Sequence, residues 1–342
     1  MFTSDNPPVT GLLFDVQHFS TGDGPGIRTT VFLKGCPLRC EWCHNPESKL
    51  PLPQVLLHSE KCVLCGACAS VCPSGAHRVT APRAEPGGVP GSALPGNSGA
   101  KFDEKEPARP ASVQKSALHV FDSGSCVHCL SCVSACRFSA LSVAGQSVSA
   151  SEVLSEVLSD RRFYECSGGG LTLSGGEPLS QPSFSLALAR GAKASGISVA
   201  LETSAFAPWE EIAAFLPFVD LFLVDWKCSD PAKHLLYTGV DNLLIRENIE
   251  KLDASGGKIV LRCPLIPGIN DGSDHLLGIV SLSLSLKNLL EIDLEPYHSI
   301  GLSKEASLGL PPRQAHPVPN ASALLSAQNF LQQRVRAPVR VM

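Results

Sequence analysis

The stretch GIRTTVFLKGCPLRCEWCHNPES, residues 26–48, places three cysteines directly after a run of β-branched and apolar residues. That run, RTTVFLKG at 28–35, predicts a buried β-strand. Cys36, Cys40 and Cys43 follow with no fourth cysteine nearby. Three thiolates leave one iron of a 4Fe-4S cluster open for a substrate amine and carboxylate, as an open position does on a catalytic metal. A three-cysteine zinc site completed by His44 is the alternative.

Further apolar runs along the chain alternate with helical patterns, so the order is strand, helix, strand, helix. This alternation predicts an α/β fold with a parallel sheet covered on both faces, either open or closed into an incomplete barrel. The later predicted strands are 170–175, 197–203, 220–226, 258–265 and 289–297, and the helices are 151–162, 183–195, 208–216, 242–254 and 274–286.

A long insertion, residues 50–150, separates the first predicted strand from the helix that begins near residue 151. It holds eight of the eleven clustered cysteines and is predicted to be a small separate domain. Within it, residues 81–115 are rich in Pro and Gly and poor in large apolar residues, which predicts a disordered linker. The larger domain is then 1–49 with 151–310, followed by a tail at 311–342.

Two cysteine runs in this insertion share the spacing C-x2-C-x2-C-x3-C, which is typical of two-cluster ferredoxins. In that arrangement the fourth cysteine of each run crosses to the other cluster. Pro73 follows the first run as the motif expects, whereas Arg137 follows the second. Structural zinc is the alternative, although it usually takes paired hooks from distant segments. The ligands are Cys62, Cys65, Cys68 and Cys72 in the first run, and Cys126, Cys129, Cys132 and Cys136 in the second.

Composition narrows the class of protein and its compartment. With 28 basic and 32 acidic residues the formal charge is −4, so neither nucleic acid nor an anionic membrane is an expected partner. No apolar run is long enough to span a bilayer, and the first residues lack a signal-peptide pattern, so we expect a cytoplasmic protein. Clustered cysteines in such a chain favour metal sites over disulfides. The three scattered cysteines, Cys166, Cys228 and Cys263, are expected to be buried thiols.

The run at 26–48, preceded by STGDGPGIR at 20–28, resembles the cluster loop of radical S-adenosylmethionine (SAM) enzymes, and the glycyl-radical-enzyme activating enzymes in particular. The resemblance continues in order through TLSGGEPL, ALETSAF, LVDWK, LRCPLIPGIND and EPYHSIGLSKEASLG. It implies an incomplete (β/α)6 barrel with an inserted ferredoxin-like domain. Active groups of such barrels gather at the carboxyl ends of the strands.

The resemblance also implies individual site residues. Gly175, Gly176 and Glu177 correspond to the motif that holds the SAM amino group, and Arg262 to the contact with its carboxylate. A monovalent cation is a further candidate cofactor implied by the resemblance. Two residues depart from the family pattern there, since Glu202 stands where relatives often carry aspartate and Ala205 where they usually carry glycine. Asp225, Lys227 and His298 correspond to active-site residues and are the catalytic candidates.

The implied activity is reductive cleavage of SAM to methionine and a 5′-deoxyadenosyl radical, which takes hydrogen from a backbone glycine of a partner glycyl radical enzyme. Three 4Fe-4S clusters are implied, two of which relay an electron from an external donor such as flavodoxin or ferredoxin. The segment Asp23 to Arg28 resembles the element that meets the partner's glycine loop. The rival classes are a radical SAM enzyme acting on a small molecule and an iron-sulfur electron carrier.

Overall fold

A mostly parallel β-sheet forms the larger of two units in a computed structural model of the chain, which describes residues 8–80 and 118–342. This unit comprises residues up to 56 together with 143–342, and the smaller unit comprises 57–142. The predicted linker at 81–115 lies outside the described residues. In the described ranges, none of the helices combines the length and apolar character that a bilayer crossing requires.

The strands of the described residues number thirteen, and nine of them form one sheet in the order β13-β12-β11-β10-β9-β8-β2-β1-β7. Neighbours from β2 through to β13 run parallel, whereas β1 is antiparallel to both β2 and β7. The strands are β1 Thr10–Ser20, β2 Arg28–Leu33, β3 Gln54–Leu57, β4 His77–Thr80, β5 Leu118–Phe121, β6 Leu141–Ala144, β7 Gln146–Ser149, β8 Gly170–Gly175, β9 Ser198–Thr203, β10 Leu221–Asp225, β11 Ile259–Leu265, β12 Leu289–Pro296 and β13 Val339–Val341.

Local signals in the sequence explain where several helices begin and end. Ser149 and Glu152 form a reciprocal capping box at the start of α3, and Gly168 ends α4 in the left-handed conformation. Asp230 caps the first turn of α7. The helices of the described residues are α1 Ala67–Val71, α2 Ser131–Ala135, α3 Ala150–Ser159, α4 Arg161–Ser167, α5 Pro182–Ala194, α6 Trp209–Ala213, α7 Pro231–Thr238, α8 Leu243–Ala254, α9 Ser273–Ser285, α10 Ile300–Ser307 and α11 Ala321–Gln332.

The core of the larger unit lies on the helix-covered side of the parallel strands. Leu171 and Leu173 of β8 and Leu201 of β9 are fully buried there, together with Leu188 and Ala189 of α5. Ala200, Leu221, Leu223 and Val260 form a second apolar cluster. Burial of successive residues in β8, β9 and β10 shows that both faces of these strands are covered, as their near-continuous apolar sequences predict.

The six predicted strands are all present, with boundaries that agree to within two residues. The predicted helix at 151–162 is two helices, because the chain turns at Asp160 between α3 and α4. The tail at 311–342 is not separate from the sheet, since β13 pairs with β12. Cys228 and Cys263 are buried as expected, but Cys166 is exposed on the short helix α4, so the prediction of a third buried thiol was wrong.

The carboxyl group of Asp293 on β12 allows a test of the electrostatics of the sheet. Burial raises the pKa of this carboxyl group from 3.8 to about 6, and the negative charge of the nearby Glu291 acts in the same direction. The positive charge of Arg262 acts in the opposite direction. Because the folded chain binds this proton more tightly than the unfolded chain, stability that is present near pH 4 is lost as the pH rises through 6.

We therefore expect Asp293→Asn to stabilise the chain by about 1–2 kcal/mol near pH 8, with a gain that shrinks towards pH 5. Thermal unfolding followed at several pH values measures this change. Asp15→Asn, at an exposed position of β1, is the matched control for the removal of an aspartate charge from the sheet. A gain for Asp293→Asn that does not depend on pH would contradict the explanation.

The smaller unit contains two short helices. Each helix contains one cysteine of a run, and the next cysteine of that run follows directly after the helix. α1 contains Cys68 and is followed directly by Cys72, whereas α2 contains Cys132 and is followed directly by Cys136. The two helices contact each other, and β4 pairs with β5 in an antiparallel ribbon. The unit therefore repeats one pattern twice, in keeping with the repeated cysteine spacing.

Candidate functional site

One cavity of the larger unit lies at the carboxyl ends of its parallel strands. Cys36, Cys40 and Cys43 line it from the loop after β2, and Asp225 and Lys227 from the end of β10. The structure thus brings together side chains from segments nearly 200 residues apart in the sequence. The other lining residues are Leu38, Trp42, His44, Asn45, Ser48, Ser174, Gly175, Gly176, Glu202, Thr203, Ser204, Pro264 and Glu295.

The cysteine loop is fixed by its backbone and by an apolar cluster. Gly35 adopts φ +99°, and its N–H donates to the Ser48 carbonyl at 2.7 Å, which turns the chain out of β2. Cys40 packs with Leu38 and Trp42. Burial raises the pKa of the Cys40 thiol to about 11. Three soft sulfur donors facing one cavity, with no fourth cysteine among its lining residues, suit an iron-sulfur cluster that has one open iron.

Asp225 and Lys227 form a buried ion pair beside the thiols. The Lys227 Nζ atom lies 2.7 Å from the Asp225 Oδ2 atom, and both side chains are more than four-fifths buried. Burial alone would lower the pKa of Lys227, but the Asp225 carboxylate and the nearby thiols outweigh it and raise the pKa. The pair therefore holds one positive and one negative group at the cavity wall, where both are weakly solvated.

The glycine pair after β8 allows the backbone to pass very close to the cysteine loop. Gly175 adopts φ +116°, and an added Cβ atom would lie 2.2 Å from the Leu33 nitrogen. At Gly176 the added Cβ would lie 2.4 Å from the Gly35 carbonyl oxygen. Neither position admits a side chain, so the backbone geometry of the site requires glycine at both.

Gly175→Ala should cost at least about 2 kcal/mol, because the new methyl group meets backbone atoms in a left-handed conformation. Ala205→Gly should be nearly neutral, within about 1 kcal/mol, since Ala205 has φ +56° and losing its buried methyl offsets the relieved strain. Apparent thermal midpoints of the cluster-loaded variants measure both effects. Equal losses in the two variants would contradict this assignment.

Glu177 does not line the cavity, which differs from the expected contact with an ammonium group. Its buried carboxylate accepts hydrogen bonds from the Thr203 hydroxyl at 2.7 Å, from the Ser204 hydroxyl at 2.6 Å and from the Ser204 N–H at 2.9 Å. The Leu179 N–H donates to it as well, at 3.2 Å. In this structure Glu177 therefore ties the turn after β8 to the turn after β9, and these internal donors occupy both of its oxygens.

Arg262 lies between two carboxylates and is absent from the cavity-lining residues, although it was expected to meet a ligand carboxylate. Its Nη1 atom is 2.9 Å from the Glu202 Oε1 atom, and its Nε–H donates to Glu295. Glu202 and Glu295 both line the cavity, so Arg262 acts on it through them. Glu295 was not among the predicted site residues, although an acidic residue at the carboxyl end of a predicted strand is a signal for such a role.

His298 contacts the cavity wall through a second imidazole. Its ring stacks on that of His44, with centroids 3.7 Å apart, and His44 lines the cavity. His298 therefore lies beside the cysteine loop, and the His44 ring separates it from the cavity.

The segment Asp23 to Arg28 is only partly open to a partner. Pro25 is exposed, but Arg28 is 1% exposed and donates to the Leu171 carbonyl and the Thr172 hydroxyl, both at 2.6 Å. The Asp23 carboxylate accepts from the hydroxyls of Ser20 and Thr30. Arg28 thus anchors the segment internally, and the exposed part is centred on Pro25.

In the smaller unit, a second cavity joins cysteines from both runs. Cys62, Cys65 and Cys68 of the first run line it together with Cys136, the last cysteine of the second run. In the second run, hydrogen bonds from Ser131 lower the pKa of Cys129. The nearby Cys72 thiol, the last of the first run, acts to raise that pKa. The last cysteine of the second run therefore lies with the first run, which is one of the two crossings in the arrangement that the spacing predicts.

Comparison with known proteins agrees with these features. The family model for the radical SAM superfamily matches residues 126–278, a 4Fe-4S dicluster domain model matches 61–140, and a 4Fe-4S single cluster domain model matches 22–72. The choline trimethylamine-lyase activating enzyme of Oleidesulfovibrio alaskensis is 38% identical over 96% of this chain and 94% of its own length. The (2S)-3-sulfopropanediol dehydratase activating enzyme of Klebsiella oxytoca is 35% identical over 90% and 88%.

A third relative, the benzylsuccinate synthase activating enzyme of Thauera aromatica, is 38% identical over 87% of this chain and 82% of its own length. All three proteins are activating enzymes, although they are named for partners that catalyse different reactions. Identity at this level over nearly the whole chain establishes common ancestry and fold. The chain belongs to the radical SAM superfamily, among the activating enzymes of glycyl radical enzymes.

Proposed function

We propose that this activating enzyme binds SAM in the cavity at the carboxyl ends of the parallel strands and generates a glycyl radical on its partner. The observation that supports this most directly is the convergence of Cys36, Cys40 and Cys43 with the Gly175–Gly176 turn and the Asp225–Lys227 pair on one cavity. A 4Fe-4S cluster held by these three thiols would supply one electron to the sulfonium bond of SAM.

The chain's own residues then have distinct roles. Backbone groups at Gly175 and Gly176 approach the cosubstrate closely, and Lys227 and Asp225 offer opposite charges to its amino acid end. Arg262 holds the Glu202 and Glu295 carboxylates in position, and His298 supports His44. Glu202 is the carboxylate we assign to the monovalent cation.

The smaller unit is proposed to carry two further 4Fe-4S clusters, one held by Cys62, Cys65, Cys68 and Cys136 and the other by the remaining four cysteines. Their role is to pass an electron inward from an external one-electron donor such as flavodoxin or ferredoxin. The domain boundaries proposed are 50–150 for this ferredoxin-like insert, and 1–49 with 151–310 for an incomplete (β/α)6 barrel. A sheet order with two distinct edges is compatible with an incomplete barrel.

The partner is proposed to meet the exposed part of the Asp23–Arg28 segment, where Pro25 and its flanking glycines let one backbone lie against another. The relatives are named for a lyase, a dehydratase and a synthase.

The test uses the full-length chain, reconstituted anaerobically with iron and sulfide and then reduced. We expect SAM to perturb the electron paramagnetic resonance (EPR) signal of one cluster and to yield methionine and 5′-deoxyadenosine, measured by chromatography. Adding a glycyl radical enzyme encoded in the same genome should produce a protein radical signal. An iron content of only two clusters, with no response to SAM, would instead identify an electron carrier.

Product formation that requires a small molecule rather than a protein partner would identify the other rival, a radical SAM enzyme with a small substrate. Each outcome is decided by a separate measurement: iron content, cosubstrate cleavage and the location of the radical.

A further inference from the structure

His119 lies inside the cysteine-lined cavity of the smaller unit, in contact with two sulfur atoms. Its Nδ1 atom is 3.4 Å from the Cys62 Sγ atom, and its Nε2 atom is 3.6 Å from the Cys68 Sγ atom. The residue is on β5, and it lines the cavity along with Cys65 and Cys136. An imidazole N–H is therefore within hydrogen-bonding distance of the cysteines expected to hold one cluster.

A second histidine fixes the way His119 presents its proton. The Nδ1 atom of His77 lies 3.0 Å from the Nε2 atom of His119. His77 is 4% exposed, and its ring stacks on Phe121 with centroids 4.7 Å apart. If the His77 Nδ1–H donates to the His119 Nε2 atom, the remaining proton of His119 is at Nδ1 and points to Cys62.

The His77–His119 pair has no counterpart at the equivalent positions of the repeated sequence. His119 precedes Cys126 by the same number of residues as Val55 precedes Cys62, and His77 follows Cys72 by the same number as Leu141 follows Cys136. The two halves otherwise share their cysteine spacing. At both positions where one half carries imidazole, the other carries an apolar side chain that cannot donate a hydrogen bond to sulfur.

We propose that His119, oriented by His77, hydrogen-bonds to the Cys62 sulfur and raises the reduction potential of the cluster held by Cys62, Cys65, Cys68 and Cys136 above that of its twin. The physical reason is that a reduced cluster carries one more negative charge, so an N–H donor to a ligand sulfur stabilises the reduced form more than the oxidised form. This inference depends on the proposed two-cluster function of the smaller unit. His119 is a positioning residue, since it acts through Cys62.

An alternative must be tested alongside this role. The sulfur of Cys68 and the imidazole nitrogens of His77 and His119 lie within 4.8 Å of one another, close enough for all three to ligate a single metal ion. Cysteine spacing and the crossed position of Cys136 assign Cys68 to a four-cysteine cluster instead, which leaves the two imidazoles outside the first coordination shell.

The experiment is an EPR-monitored redox titration of the full-length, anaerobically reconstituted chain carrying His119→Leu, His119→Gln or His77→Leu. His58→Leu is the matched control, because the His58 ring bonds to the Ser142 hydroxyl at 2.8 Å rather than to a cysteine. We expect His119→Leu to shift the midpoint of one cluster to more negative values, so that its reduced fraction at a fixed potential falls about tenfold, which is about 59 mV for one electron. His119→Gln, which keeps an N–H donor, should retain most of the wild-type value.

His77→Leu should give a smaller shift of the same cluster, and His58→Leu no shift. The proposal is overturned if His119→Leu keeps its full iron content and all midpoints, or if His119→Gln shifts as far as His119→Leu. Loss of iron from both His119 variants, with His58→Leu intact, would make His119 a ligand and also overturn it. If the wild-type chain takes up only the iron of a single cluster, the proposed two-cluster function fails first, and the iron assay alone shows this.

Discussion

Cys40→Ala is expected to abolish SAM cleavage and to lower the iron content by about four atoms per chain, which is one 4Fe-4S cluster. Cys40 is the most deeply buried of the three thiols in the cavity, and the Trp42 and Leu38 side chains pack around it. With only two thiolates left, the site cannot retain a 4Fe-4S cluster, and its iron is lost to solvent. Iron and sulfide assays, together with quantitation of 5′-deoxyadenosine, measure the effect.

The matched control for this change is Cys166→Ala, which also removes a thiol but lies exposed on α4, outside all three cysteine runs. It should leave iron content and SAM cleavage unchanged. Two clusters should remain in Cys40→Ala, visible by EPR after reduction. Retention of the full iron content in Cys40→Ala would show that the catalytic cluster is held elsewhere.

Glu177→Ala is expected to destabilise the chain by about 3–5 kcal/mol and to lower the apparent thermal midpoint by about 10 °C. The reason is that the substitution strands four buried donors: two hydroxyls, on Thr203 and Ser204, and two backbone N–H groups. Burial raises the pKa of Glu177 while these donors act to lower it, so the network and the carboxylate support each other.

Glu165→Ala is the control, because its carboxylate is exposed and forms only an (i, i+4) pair with Arg161. Glu177→Gln should lose less stability than Glu177→Ala, since the amide oxygen of glutamine still accepts hydrogen bonds from the donors that face one of the two carboxylate oxygens. If Glu177→Ala keeps its thermal midpoint but weakens SAM binding, the carboxylate serves the cosubstrate amine, as the resemblance to the family implied, rather than the network.

Much of the fold followed from the sequence because parallel strands buried on both faces are continuous apolar runs. β8, for example, has the predicted bounds 170–175. Three strands of the large sheet, β1, β7 and β13, were missed because they lack such a run. β1 interleaves Asp15, Gln17 and His18 with apolar residues, and much of it is exposed. β7 and β13 span only four and three residues, too few to show a periodicity.

The site was predictable to the level of which residues approach the cavity, but not how each side chain is used. Cysteine spacing and positions at strand ends are local features, so the thiols, the glycines and the Asp225–Lys227 pair could be identified from the sequence. The orientations of Glu177 and Arg262 depend on partners in other strands, Ser204 and Glu295 among them. No local pattern reveals such pairings before the strand order is known.

The pairing of β2 with β8 has a consequence for how the polypeptide reaches its native state. Arg28 on β2 donates a hydrogen bond to the carbonyl of Leu171 on β8, 143 residues further along the chain. Pairing of these first two parallel strands therefore closes a loop of that length. Closing so long a loop carries a large entropic penalty, and that penalty falls when the intervening residues are already compact. Assembly of clusters in the intervening segment would therefore act as an early step that speeds docking of the sheet. Chains made under iron starvation would be expected to mature slowly and to be exposed to proteolysis for longer.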